Sequence, residues 1–144
     1  MKYLLDTCVL SEAFKKKPNP QVIDWLGSVD EQSLYLCVLT LGEIEKGVEK
    51  NKDPARRRKL RNWLEFDLKD RFRHRILSVD LDVSLKWGAI QAEAELAGTP
   101  IPAIDGLIAV TGLVHNCTVV TRNIDDMRQS QAELFNPWDE PCFR

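Results

Sequence analysis

Residues 102–121 read PAIDGLIAVTGLVHNCTVVT, and this stretch decides the fold. The run 102–115 is almost wholly apolar, starts on a proline and ends at His115. It is too long for a strand and predicts a central helix buried on nearly every side. The following CTVVT, 117–121, is dense in β-branched residues and predicts a strand. A buried helix leading directly into a buried strand is half of an α/β unit.

The rest of the chain repeats that alternation. KYLLD at 2–6, SLYLCVL at 33–39 and RILSV at 75–79 are short apolar runs that predict buried strands, and Leu134-Phe135 predicts a last short one. Between them the spacing predicts helices over 7–17, stopped at Pro18-Asn19-Pro20, over 21–27, closed by Gly27, and over 40–51. Asp53-Pro54 opens a long helix, the aspartate as N-cap and the proline in its first turn. Leu60, Trp63, Leu64 and Leu68 form its inner stripe, with the arginines outward. A further helix over 82–97 ends at Gly98 and Pro100. Strands alternating with helices imply a three-layer α/β sandwich around a mostly parallel sheet, one domain over 1–144 with its core at about 2–137. In such sheets ligands bind beyond the carboxyl ends of the strands.

The bulk properties narrow the class. With 144 residues and 44% hydrophobic content the chain can build one sizeable core. No run approaches the ~18 apolar residues of a membrane span. Asp6 interrupts the amino-terminal apolar run too early for a signal peptide, so a cytoplasmic protein is expected. Four cysteines, Cys8, Cys37, Cys117 and Cys142, and two histidines form neither a CxxC nor a zinc spacing. The first three cysteines lie in apolar segments and read as core packing in a reducing compartment. The net charge of −2 is unevenly spread: residues 56–75 carry nine Lys/Arg against three acids, a net +6 that leaves −8 for the remainder. One reading is a surface for phosphates, another a solvated helix face with pairs such as Arg61–Glu65.

Four acids fall where a sheet of this kind places its site. Asp6 ends the first strand. Glu43 opens the helix after the second, Asp105 opens the apolar helix, and Asp126 follows CTVVT. Each has a plain structural reading. Asp6 can cap the next helix, Thr40 and Glu43 can form a capping box, Asp105 suits the positive end of its helix, and Asp126 can hold a turn. Asp105 carries most information. It stands among Ile101, Ala103, Ile104, Leu107 and Ile108, and no lysine or arginine occurs between Lys86 and Arg122. A carboxylate there needs a cation, from a metal or from a distant basic side chain. Acids without His or Cys select a hard ion, Mg2+ or Mn2+, which activates water and stabilises charge in phosphoryl chemistry. Phosphate-loop, dinucleotide and serine-hydrolase motifs are absent.

At this point the sequence resembles a known family. LLDTCVLSEA, LTLGEIEKGVEK, AIDGLIAVTGLVHNCTVVTRNIDDM and LFNPWDEP are similar, in order and spacing, to the conserved blocks of PIN-domain ribonucleases of the VapC/FitB toxin type, from residue 3 to about 140. The resemblance implies that Asp6, Glu43 and Asp105 bind metal and catalyse. The fourth acid is implied to be Asp126, with Asp125 as second choice. Thr7, Thr121, Asn123 and Asp125 would line the pocket. Arg56, Arg57, Arg58, Arg61 and Arg122 are expected to contact RNA phosphates. Cys8 departs from the family's usual asparagine, and Met127 from its phenylalanine. The family implies an Mg2+- or Mn2+-dependent endoribonuclease, a homodimer neutralised by a small antitoxin, in some cases within a larger toxin–antitoxin assembly. Two other classes compete. A non-catalytic PIN-fold nucleic-acid-binding module would lack the need for all four acids. A phosphoacceptor receiver domain would need an acidic pair after the first strand and a late lysine, whereas no lysine follows Lys86.

Overall fold

The computed structural model describes residues 1–139. Its strands are β1 (Lys2–Leu5), β2 (Leu34–Cys37), β3 (Ile76–Leu77), β4 (Cys117–Val120) and β5 (Leu134–Phe135), all parallel in one sheet ordered β3-β2-β1-β4-β5. The helices are α1 (Thr7–Phe14), α2 (Pro20–Ser28), α3 (Val38–Lys50), α4 (Pro54–Asn62), α5 (Lys69–Arg71), α6 (Leu81–Leu96), α7 (Ala103–Val114) and α8 (Ile124–Met127). The arrangement is a single α/β domain, as expected from the alternation.

The period of two along each strand divides the interior into two cores. Leu5, Leu34, Leu36 and Val120 face one side, where Val9, Leu10, Val22, Trp25, Ile44, Val48, Leu64, Leu68 and Phe72 bury them. Leu4, Cys37, Cys117 and Val119 face the other and meet Ile108, Ala109 and Met127. A third cluster, Val83, Ile90, Ala94, Ile101 and Val110, joins α6 to α7. Gly112 lets α7 approach the sheet, since a Cβ there would lie 2.5 Å from Val119 Cγ2.

Boundaries moved where tertiary contacts overrode local pattern. The strand expected over 33–39 stops at Cys37, and Val38 and Leu39 already belong to α3; a short apolar run does not distinguish strand from helix. The strand expected over 75–79 is only two residues long. The first helix stops at Phe14, three residues early. There the buried Glu12 carboxylate accepts from Lys15 Nζ at 2.9 Å and from the Asn19 backbone N–H at 2.8 Å, drawing the chain off the helix axis. The long helix is α4, a π-helical turn at Trp63–Leu68 and α5 in succession. Asp53 caps it through Ala55 N–H, as expected. The apolar helix α7 is buried along its later turns, but its entry is open, with Ile104 42% exposed. Cys142 and the Glu140-Pro141 end of the FNPW block lie outside the described residues.

Strand order places the reversal of winding between β1 and β4. To one side of β1 lie β2 and β3, to the other β4 and β5. Crevices at such a switch point, beyond the carboxyl ends of the strands, are where open α/β sheets bind ligands.

Candidate active site

Asp6 is the first residue past β1, and Thr121 the first past β4. The two strands pair through Leu5 and Val120, and the Asp6 amide donates to Val120 O at 2.9 Å. The switch point therefore brings Asp6 and Thr121 side by side. Thr121 Oγ1 donates to Asp6 Oδ2 at 2.7 Å, and the Thr7 backbone N–H donates to Asp6 Oδ1 at 2.8 Å. Both oxygens of a carboxylate only 2% exposed are thus fixed in direction. Asp6 caps α1 and still presents its remaining lone pairs to the crevice, so its structural and functional readings hold together.

Thr7 extends the set. Its hydroxyl donates to Glu43 Oε1 at 2.6 Å, linking α1 to α3 across the carboxyl edge. This corrects the capping-box reading of Glu43. Helix α3 begins at Val38 with Cys37 as N-cap, so Thr40 lies inside the helix and its buried hydroxyl has no hydrogen-bond partner. Glu43 turns toward Thr7 and Asp6.

Asp105 stands in the first turn of α7. It is half-buried, less enclosed than its apolar neighbours suggested. Its pKa is nonetheless pushed up to about 6 by burial and then by the charges of Asp6, Asp126 and Glu43. A helix N-terminus lowers a carboxyl pKa, so burial and the field of the other three acids prevail over it. Burial also raises Asp6, reinforced by Glu43 and opposed by the Thr121 and Thr7 hydrogen bonds. The charges of Asp6 just past β1, Glu43 on α3 and Asp126 on α8 therefore all bear on Asp105 at the start of α7.

Asp126 and Asp125, both exposed, differ in what they act on. Asp125 has a side chain 94% exposed that pairs with Arg128 at 2.8 Å, whereas the charge of Asp126 reaches Asp105. Asn123 donates its backbone N–H to Thr121 Oγ1 at 2.9 Å, so it supports the pocket through its backbone. Cys8 is half-buried, packed against the core as expected and also bordering the Asp6 and Thr121 side chains. Its Sγ lies 3.7 Å from Asp6 Oδ2 and 3.8 Å from Thr121 Oγ1. Burial, then the Asp6 charge, push its thiol up to about 11, so it stays protonated and weakly nucleophilic.

In the basic segment the structure favours the second of the two sequence readings, a solvated helix face held by ion pairs. Arg57 and Arg61 pair with Glu49, and Arg61 also with Glu45. Lys69 pairs with Glu65 and Arg73 with Asp70. Arg71 and Arg75 converge on Glu31. Arg75 is buried and also donates to the backbone oxygens of Glu31, Leu34 and Arg71, tying the helix end to β2. The pair expected from the sequence, Arg61–Glu65, does not form because Arg61 turns toward α3; Glu65 pairs with Lys69 instead. Arg56, Arg58 and Lys59 carry no ion pair among the described residues, so the cationic surface is smaller than the charge count implies.

Among the described residues no three His, Cys, Asp or Glu side chains are drawn together into a ready metal-binding group. The oxygen donors of Asp6, Glu43, Asp105 and Asp126, with the Thr7 and Thr121 hydroxyls, would fit a hard divalent ion, and among the described residues no basic side chain pairs with Asp105.

The family model of the PIN domain matches residues 3–131. Toxin FitB of Neisseria gonorrhoeae is 34% identical over 137 residues, covering 95% of this chain and 99% of that protein. VapC ribonuclease Y4jK of Sinorhizobium fredii is 32% identical over 136 residues, covering 94% and 97%. The crystal structure of FitAcB from Neisseria gonorrhoeae superposes with a TM-score of 0.90 at 34% identity, covering 96% of this chain and 99% of that one. With its sheet order, its acids at the switch point and this likeness along nearly its whole length, the chain belongs to the PIN-domain family, among the relatives of the VapC and FitB toxins.

Proposed function

We propose that this protein is an Mg2+- or Mn2+-dependent endoribonuclease, the toxin of a toxin–antitoxin pair. The observation that carries the reading is that Thr7 joins Asp6 to Glu43 and that the charges of Asp6, Asp126 and Glu43 all raise the pKa of Asp105. Asp6 and Asp105 would hold the ion, with Glu43 and Asp126 completing the set. A bound divalent ion would lower the pKa of water and stabilise negative charge on a phosphate. The chain's own residues supply the rest. Thr121 and Thr7 aim the Asp6 oxygens, Thr7 sets Glu43, and Asp105 at the helix entry adds charge without closing the crevice to a large substrate.

The relatives named ribonuclease and toxin support RNA as substrate and a cognate antitoxin as partner. Arg56 and Arg58 remain available for phosphates; Arg57 and Arg61 would first have to leave Glu45 and Glu49. Homodimerisation is supported by Leu81 and Leu85, one turn apart on α6 and 71% and 65% exposed. No helix of the described residues is long and apolar enough to cross a membrane, and Cys8, Cys37 and Cys117 are free thiols, in keeping with action in the reducing cytoplasm. The test is cleavage of RNA by purified protein. Asp6→Asn and Asp105→Asn should each abolish Mg2+-dependent cleavage while the circular dichroism spectrum is kept. Full cleavage by either variant removes the assignment.

A further inference from the structure

We propose that Arg122 grips an RNA phosphate beside the acid crevice and that Trp138 holds its guanidinium in place for that purpose. The inference rests on the ribonuclease reading above and names a substrate contact within it. Arg122 directly follows Thr121, whose hydroxyl orients Asp6, and its backbone N–H donates to Cys8 Sγ at 3.4 Å. Its Cα is thus fixed at the rim of the crevice. The side chain is exposed, and its guanidinium carbon lies 4.9 Å from the centre of the Trp138 ring, inside the range of a cation–π contact.

Arg122 forms no ion pair with any described carboxylate; of the acids, Glu12 feels its charge weakly, as the last of several causes that lower the Glu12 pKa. The aromatic face of Trp138 holds the cation. A guanidinium lying on a ring uses its face and leaves its N–H edge open, the edge that binds two phosphate oxygens together. Trp138 is itself fixed. Its backbone N–H donates to Asn136 Oδ1 at 2.9 Å, and its ring packs against the core cluster that contains Trp25. The Thr121 amide donates to Phe135 O at 2.9 Å, so the segments carrying Arg122 and Trp138 are joined at the sheet edge. Arg122 is thereby a binding residue and Trp138 a positioning residue that acts through it.

The test is binding of a short mixed-sequence single-stranded RNA, labelled for fluorescence anisotropy, with Ca2+ replacing Mg2+ to suppress cleavage, over a range of salt. Arg122→Ala should weaken binding about tenfold or more, as for loss of a charged hydrogen bond. It should also reduce the slope of log K against log salt by about 0.7, one single-strand phosphate contact. Trp138→Phe should bind like the unaltered protein. Trp138→Ala should weaken binding several-fold, and this loss should disappear when Arg122→Ala is already present. An unchanged affinity and slope in Arg122→Ala overturns the proposal, as does a Trp138→Ala loss of equal size with and without Arg122, which would mean that the ring acts by itself. Absence of RNA binding by the unaltered protein would overturn the ribonuclease reading and this inference together. Failure confined to the Arg122 variant overturns this inference alone.

Discussion

Replacing Asp105 by asparagine should stabilise the metal-free protein at neutral pH while destroying the function proposed for it. The Asp105 pKa rises from 3.8 to about 6 in the fold because of burial and the charges of Asp6, Asp126 and Glu43. Since one pKa unit corresponds to about 1.4 kcal/mol, the ionised carboxylate carries a penalty of about 3 kcal/mol at full strength. Asp105 is half-exposed, so solvent screening reduces this to about 1 kcal/mol. The sign follows from linkage. Below pH 3.8 the carboxyl is protonated in both states and no penalty exists. As pH rises from about 4 to about 6 the unfolded chain ionises first, the native state loses stability, and the full penalty persists above that window. Asp105→Asn removes it, so its melting temperature in EDTA at pH 8 should exceed that of the unaltered protein by roughly 3 °C. The gap should close by pH 4. Saturating Mn2+ should reverse the order, because an ion bound only to the native state stabilises it by mass action. Thermal unfolding followed by circular dichroism at the two pH values, with EDTA and with Mn2+, reads all three effects. A variant less stable than the unaltered protein in EDTA at pH 8, or a gap that persists at pH 4, would refute the electrostatic reasoning.

Other predictions concern the groups around that carboxylate. Thr7→Val removes the hydroxyl that sets Glu43 and should weaken Mn2+ binding about 10–100-fold, the usual cost of losing a partner behind a metal ligand; calorimetric affinity within twofold of the unaltered protein would contradict it. Asp126→Asn should lower the pKa of Asp105 and impair Mg2+-dependent cleavage, whereas Asp125→Asn, at a side chain that is exposed and paired with Arg128, should do neither; carboxyl titration by NMR and an RNA cleavage assay distinguish them. Gly112→Ala places a methyl group 2.5 Å from Val119 Cγ2 and should cost about 1–3 kcal/mol through overpacking, measurable as a lowered urea midpoint; an unchanged midpoint would show that α7 can move off the sheet freely.

The order of elements and the carboxyl-edge location of the acids were legible in the sequence because both are consequences of hydrophobic period. Asp6 and Thr121 mark the ends of two apolar runs, and once those runs pair as β1 and β4 the two residues must be neighbours. Asp105 was legible through an absence, since no basic residue lies near it in the chain. What local pattern did not reveal depends on side-chain direction across elements. The apolar run 33–39 hid the entry of α3 at Val38, and with it the true position of Thr40 and Glu43 in the helix. The surplus of positive charge at 56–75 looked free because its partners, Glu31, Glu45 and Glu49, belong to other elements. Asp125 and Asp126 are adjacent in sequence and differ in what they act on. Cys8 stood in an apolar segment and does pack against the core, but its local sequence did not show that its Sγ also touches the Asp6 and Thr121 side chains. The Arg122–Trp138 contact joins residues sixteen positions apart through the β4–β5 pairing; the FNPW block was visible, but nothing local directed its tryptophan to the arginine.

The central claim is best tested by a crystal of the protein soaked in Mn2+ and measured for anomalous scattering. The account predicts a manganese peak bonded to carboxylate oxygens of Asp6 and Asp105, with Glu43 and Asp126 drawn inward toward it. A peak at another place on the surface, or none at a concentration that saturates binding in solution, would contradict it.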